Sequence, residues 1–144
     1  MPTTTALTPE QRDFLLAGTR TAKLGYTASD GRPLIAPVWF TIDDGDIVFN
    51  TNEATAKGRA IRRDPRVVVC VDLQEPPYAF IQIQGIAELD EDVAESRRIA
   101  TIVGGRYMGA DRAEEFGARN GVPGEYAVRV KATKIISAFD MTAG

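Results

Sequence analysis

Residue type and spacing point most directly to chemistry in the stretch Phe49-Asn50-Thr51-Asn52-Glu53-Ala54-Thr55-Ala56-Lys57-Gly58-Arg59. An apolar strand runs out into small polar residues, and a helical pattern begins at once. The first amides of a helix have no internal acceptor and the macrodipole is positive there, so such an end suits a phosphate. Lys57 lies one turn in and shares a helical face with Ile61, with Ala54 nearby. Ile61 is expected to face the core, so Lys57 is expected to point inward or along the seam. A lysine on a packed side needs an anion, because burying it unpaired is costly. Arg59 and Arg63 fall on a different face, toward solvent or a partner subunit. Five of the 17 basic residues (Lys57, Arg59, Arg62, Arg63 and Arg66) crowd into this span of a chain whose net charge is −3. Arg62, Arg63 and Arg66 read as a solvated face with Asp64 as local partner, and the cluster as a whole can steer an anionic ligand.

The chain contains no histidine. That excludes His-based acid–base catalysis and a Ser-His-Asp triad, and removes the usual ligands of catalytic zinc and the usual proximal ligand of haem. Chemistry here is expected to belong to a bound organic cofactor. The one cysteine, Cys70, allows no intrachain disulfide and suits a reducing compartment. The Thr-rich start, Met1 to Pro9, lacks a basic region followed by an apolar core, and no apolar run approaches the ~18 residues of a membrane span. A cytoplasmic protein with no membrane partner is expected. The acidic balance argues against general nucleic-acid binding, which needs a broad Lys/Arg surplus.

Residues 33–42 read as a strand with Leu34, Ala36, Val38, Phe40 and Ile42 on the core face. The opposite face carries Ile35, Pro37, Trp39 and Thr41, more apolar than a wet face should be. Either a helix or dimer partner covers it, or it walls a flat aromatic ring system. The two are compatible if the ring lies at a dimer interface.

The rest of the pattern supplies the scaffold. At 144 residues the chain fits a single domain, 1–144, burying roughly 70% of its unfolded surface on folding. Thr8-Pro9 starts a helix that Gly18 ends. Strands are expected over 21–28, 33–42 and 46–51, joined as an antiparallel meander at Ser29-Asp30-Gly31 and Asp43-Asp44-Gly45. A helix is expected over 53–64, with Asn52 as N-cap and Asp64-Pro65 as its stop. Strands follow over 66–73 and 78–89, then a helix over 91–103 interrupted at Gly104-Gly105, a short helix near 111–118, and a strand over 125–137. Six strands with short turns predict a mainly β fold, an antiparallel barrel with peripheral helices, since closure removes exposed edges.

Gly31-Arg32-Pro33, Pro37-Val38-Trp39-Phe40, Asn50-Thr51-Asn52, Lys57-Gly58-Arg59 and Arg63-Asp64-Pro65-Arg66 together resemble the pyridoxamine 5′-phosphate oxidase-like split-barrel superfamily. Ile83-Gln84-Gly85-Ile86-Ala87-Glu88-Leu89 and Arg106-Tyr107-Met108-Gly109 are similar to later pieces of its actinobacterial members. The resemblance runs from about residue 8 to 140 and points to the type B flavin/deazaflavin oxidoreductases, many of which use coenzyme F420.

That resemblance implies a homodimer of six-stranded, FMN-binding-like split barrels with two cofactor sites between the subunits. Lys57 would bind the cofactor phosphate with Arg59 close by. Asn50, Thr51 and Asn52 would flank the phosphate and its linker, and Pro37, Val38 and Trp39 would line the deazaflavin ring. Tyr78 would come from the opposite subunit to the ring or substrate pocket, and is the one candidate proton donor. The implied reaction is hydride transfer between F420 and an unsaturated small molecule. FMN is the alternative cofactor, and a non-catalytic cofactor carrier the alternative role. The chain departs from true pyridoxamine-phosphate oxidases. Ala36 or its neighbours stand where they carry a phosphate-binding Arg, Phe80 stands where they carry a Gln, and their Arg-x-His motif cannot exist here. An oligonucleotide-binding barrel is disfavoured by the acidic charge and by only 11 aromatic residues.

Overall fold

A computed structural model describes residues 5–143. Residues 1–4, on which part of the leader reading rests, lie outside the described residues, as does residue 144. The elements in order are α1 (Pro9–Leu16), β1 (Ala22–Thr27), β2 (Pro33–Val38), β3 (Thr41–Asp43), β4 (Asp46–Asn52), α2 (Ala56–Arg63), β5 (Arg66–Asp72), β6 (Phe80–Asp90), α3 (Val93–Met108), α4 (Ala113–Asn120) and β7 (Glu125–Ala138). A 3-10 turn, Ala110–Arg112, links the last two helices.

All strands join one antiparallel sheet in the order β2-β1-β5-β6-β7-β4-β3. Its edge strands, β2 and β3, are separated in sequence by only Trp39 and Phe40. Laid flat, seven strands would hold those edges about 29 Å apart. The chain from Val38 to Thr41 reaches at most about 11 Å. The sheet therefore curls until its edges meet, which makes the barrel.

The interior follows the two-residue strand period. Val67, Val69 and Val71 of β5 point in, as do Ile81 and Ile83 of β6, Ile47 and Phe49 of β4, and Tyr126, Val128 and Val130 of β7. Leu15 of α1 and Ile61 of α2 join the same core. Thr8 caps α1 as its place before Pro9 leads one to expect, and does so in a reciprocal pair with Gln11. On the outer face of β4 and β7, Val48 and Ala127 pack under Ile99 and Val103 of α3.

Three expectations need correction. The 33–42 strand is two strands, broken at Trp39-Phe40, so the sheet counts seven and the meander is two hairpins, β1-β2 and β3-β4. The inward phase nevertheless carries across the break: Val38 and Phe40 lie in the core, and Ile42, half-buried, packs against it opposite Ile47, while Thr41 falls on the outer face opposite Val48. Helix α2 starts at Ala56, capped by Thr55 rather than Asn52, because Thr55 Oγ1 accepts from the Gly58 amide while Asn52 Oδ1 closes a turn on the Ala54 amide. Gly104 and Gly105 do not interrupt α3. They lie inside it, and their missing side chains admit α4, since a Cβ on Gly104 would meet Phe116 Cβ at 2.4 Å.

Candidate functional site

The barrel wall has one gap, and its position follows from the pairing. Strand β3 gives β4 three pairs, Thr41 with Val48, Ile42 with Ile47 and Asp43 with Asp46. Carried further, that register would set Trp39 opposite Asn50 and Pro37 opposite Asn52. The ladder ends instead: β2 pairs only with β1, and the second half of β4 only with β7. The two free edges part at Trp39-Phe40 like the arms of a V, and α2 begins just past the end of β4. Asn50–Asn52 thus runs straight into the start of α2 on one side of the break, and Pro37–Trp39 leads up to it on the other.

The turn between β4 and α2 is braced by its own side chains. Thr51 is buried, with its hydroxyl 3.3 Å from that of Thr55. Thr55 donates to the Asn52 carbonyl at 2.8 Å. Asn52 donates to Glu125 Oε1 at 3.0 Å, and Asn50 Nδ2 donates to the Ser96 carbonyl at 3.0 Å. These polar groups hold β4, α3 and β7 together. The Gly58 amide is taken by Thr55, whereas no acceptor among the described residues takes the amides of Ala56 and Lys57. Lys57 is half-buried and makes no ion pair or hydrogen bond among the described residues. Arg59 is exposed and folds back onto the Ala54 carbonyl at 2.8 Å. Of the cations further along, Arg62 is held by Glu91 and the Tyr126 hydroxyl and Arg66 by Asp64, while Arg63, at the other end of α2, makes no ion pair or hydrogen bond among the described residues. The helix end therefore presents two free N–H groups and one free ammonium, the donor set an oxyanion needs.

At the apex, the indole of Trp39 stacks on Tyr107, with ring centroids 5.0 Å apart and 3° between planes, and leans on Phe116 at 5.8 Å. Trp39 stays 39% exposed. Pro37 is exposed, but Val38 points into the barrel core, so only its backbone can face the split. Ile35 and Pro37 have no covering helix, so the apolar outer face of β2 stays bare while Trp39 alone is partly covered. Tyr78 sits in the β5–β6 loop, past the end of β5 opposite its link to α2. Tyr78 is 43% exposed and holds φ at +54°, a costly region for a bulky residue.

Sequence reasoning missed Thr55 as the cap and left Arg106 and Tyr107 without a role. Thr55 is detectable as a hydroxyl three residues before Gly58. Arg106 and Tyr107 show no local signal, because their partners at Phe40 lie more than sixty residues away.

The family model for pyridoxamine 5′-phosphate oxidase matches residues 7–137. The chain belongs to the pyridoxamine 5′-phosphate oxidase family. Among curated proteins none matches. Solved structures with this fold include the conserved hypothetical protein Rv2991 of Mycobacterium tuberculosis, at 24% identity and TM-score 0.80, covering 95% of this chain and 88% of that one. An F420 reductase is similar at 22% identity and TM-score 0.69, over 90% of this chain and 98% of that one. A haem-binding protein of Mycobacterium smegmatis is similar at 16% identity and TM-score 0.67, over 91% of this chain and 53% of that one. Family membership and these neighbours agree on the split barrel, and no helix of the described residues is long and apolar enough to cross a membrane.

Proposed function

We propose that this chain is an oxidoreductase that holds coenzyme F420 in the split, phosphate at the start of α2 and ring toward Trp39. The observation that carries the reading is the unpaired ammonium of Lys57 beside the free amides of Ala56 and Lys57. That donor set fits a phosphate, and the family and the F420 reductase neighbour fit a flavin-like ring. FMN is the second cofactor the site would take. A haem held by a histidine is not open to a chain without one.

When bound, the deazaflavin supplies a hydride to an electron-poor double bond. The protein's share is binding, orientation and exclusion of water. Lys57 and the helix amides anchor the phosphate, with Arg59 adding positive charge over the turn. Charge-assisted bonds of this kind contribute about 1.5–3 kcal/mol each. Pro37, Trp39 and the backbone of Val38 line the ring, and Asn50, Thr51 and Asn52 keep the turn in place beside the linker.

A homodimer completes the site. The outer face of β2, β1, β5 and β6 carries no helix and exposes Ile35 at 70% and Ile86 at 39%, beside a groove of about 600 Å³ lined by Gly25, Leu34, Val68 and Gln84. An apolar surface of this kind marks an interface. A partner there would bring its Tyr78 toward the ring. The test is to mix the protein with reduced F420, and separately with reduced FMN, and follow oxidation with a panel of enones and quinones. Acceptor-dependent oxidation of F420 is expected. Tight binding without turnover would assign a carrier, and neither binding nor turnover would overturn the reading.

A further inference from the structure

Phe40 sits where the sheet divides, and neither of its backbone polar groups is left to a strand. Its N–H donates to the Tyr107 hydroxyl at 3.3 Å, and its carbonyl accepts from Arg106 Nη1 at 2.6 Å. The Tyr107 hydroxyl in turn donates to the Arg20 carbonyl at 2.9 Å. Arg106 Nη2 reaches the carbonyls of Leu15 at 2.9 Å and Gly18 at 3.2 Å, just past α1. The guanidinium has no carboxylate among the described residues. It lies over the rings of Phe40 at 4.6 Å and Tyr107 at 5.0 Å. Its Nε is buried without a partner among the described residues. Closing a barrel does not require a buried, unpartnered Nε, since a continued β3 ladder would satisfy Phe40 without one. What this arrangement does accomplish is to keep that ladder from forming.

We propose that Arg106 and Tyr107 are positioning residues for the cofactor ring: by taking both polar groups of Phe40 they hold the split open at its apex, and through the Tyr107 stack they fix the indole of Trp39 as its wall. This rests on the reading that a cofactor ring occupies the split. Neither side chain need touch the cofactor, because both act through Phe40 and Trp39. Burial raises the Tyr107 hydroxyl above the usual phenol range, which keeps its proton available for the Arg20 carbonyl.

Trp39 is the only tryptophan, so its emission reports the apex directly. The test compares wild type with Tyr107→Leu, Tyr107→Phe and Arg106→Lys. It reads Trp39 emission without ligand, F420 affinity, and affinity for inorganic phosphate as a competitor at the start of α2. Tyr107→Leu, which loses stack and hydroxyl, is expected to shift Trp39 emission to the red and to weaken F420 about fivefold or more, with phosphate affinity held within about twofold. Tyr107→Phe keeps the stack and should keep wild-type emission, with a smaller loss of F420 affinity. Arg106→Lys keeps the charge but cannot span three carbonyls, and should weaken F420 about threefold without moving phosphate. Unchanged F420 affinity in Tyr107→Leu, or phosphate affinity falling in step with F420, overturns the proposal. Should Tyr107→Leu not fold, unchanged F420 affinity in both Tyr107→Phe and Arg106→Lys overturns it. Wild type that binds phosphate but neither F420 nor FMN sinks the functional reading instead. Trp39 emission in Tyr107→Leu then decides the positioning alone, and a wild-type spectrum overturns it.

Discussion

The Asn52 carbonyl oxygen lies 2.2 Å from where a Cβ on Gly58 would stand. The start of α2 is thus folded tightly onto the end of β4, and the absence of a side chain at Gly58 allows it. A Gly-to-Ala change inside a helix ordinarily stabilises by about 0.4–1 kcal/mol through the unfolded chain. Here both partners of the clash are backbone or Cβ, so the turn itself must open. Gly58→Ala is expected to destabilise the fold by about 1–3 kcal/mol and to weaken anion binding. Urea unfolding and phosphate competition check the two effects, and a stabilised variant would show that the turn tolerates a methyl.

A second close approach ties helix packing to the apex. Gly104 faces Phe116 so closely that an added Cβ would lie 2.4 Å from the Phe116 Cβ, and Phe116 touches Trp39. Gly104→Ala is expected to push α4 outward, to cost about 1–3 kcal/mol and to alter Trp39 emission. Gly105→Ala has 3.2 Å to the Ala113 Cβ and should cost less. Thermal melts of the two variants side by side give the comparison.

Acid sensitivity should concentrate on Asp43. Hydrogen bonds from Arg98, then Arg129, hold its carboxyl well below the usual aspartate range. Arg98 Nη2 approaches at 2.8 Å and Arg129 Nη2 at 2.6 Å, tying the β3–β4 hairpin to α3 and β7. A group whose folded value is depressed stabilises above its unfolded value and loses that contribution as pH falls toward the folded one. Asp43→Asn should therefore cost about 1–2 kcal/mol near neutral pH, toward the lower end because Arg98 is 45% exposed. The gap to wild type should narrow below about pH 4. Urea curves near neutrality and near pH 3 measure it, and a gap that widens on acidification would contradict the assignment.

Much of this arrangement is legible in the sequence because it depends on local pattern. The valines of β5 alternate through the wall, Asp64-Pro65 ends α2, and Thr8 caps α1. Asn52 and Thr55 are both good capping residues, and spacing alone does not choose between them. The choice falls to Thr55 because Asn52 is drawn off to Glu125 and the Ala54 amide. The break at Trp39-Phe40 is invisible locally, since both residues continue a strand pattern. There the polar groups of Phe40 are taken by Arg106 and Tyr107 from a distant helix. Asn50 illustrates the same limit within the site: its position is readable, but its amide is committed to the Ser96 carbonyl.

Titrating wild type and Lys57→Ala with F420 and with FMN, following ligand fluorescence, bears most directly on whether this helix end holds a cofactor phosphate. Lys57 has no partner among the described residues, so its loss should leave the melting temperature unchanged. F420 is expected to bind wild type more tightly than FMN, and the substitution to weaken F420 at least tenfold, about 1.4 kcal/mol. Affinity unchanged by the substitution would contradict a cofactor phosphate held at the start of α2.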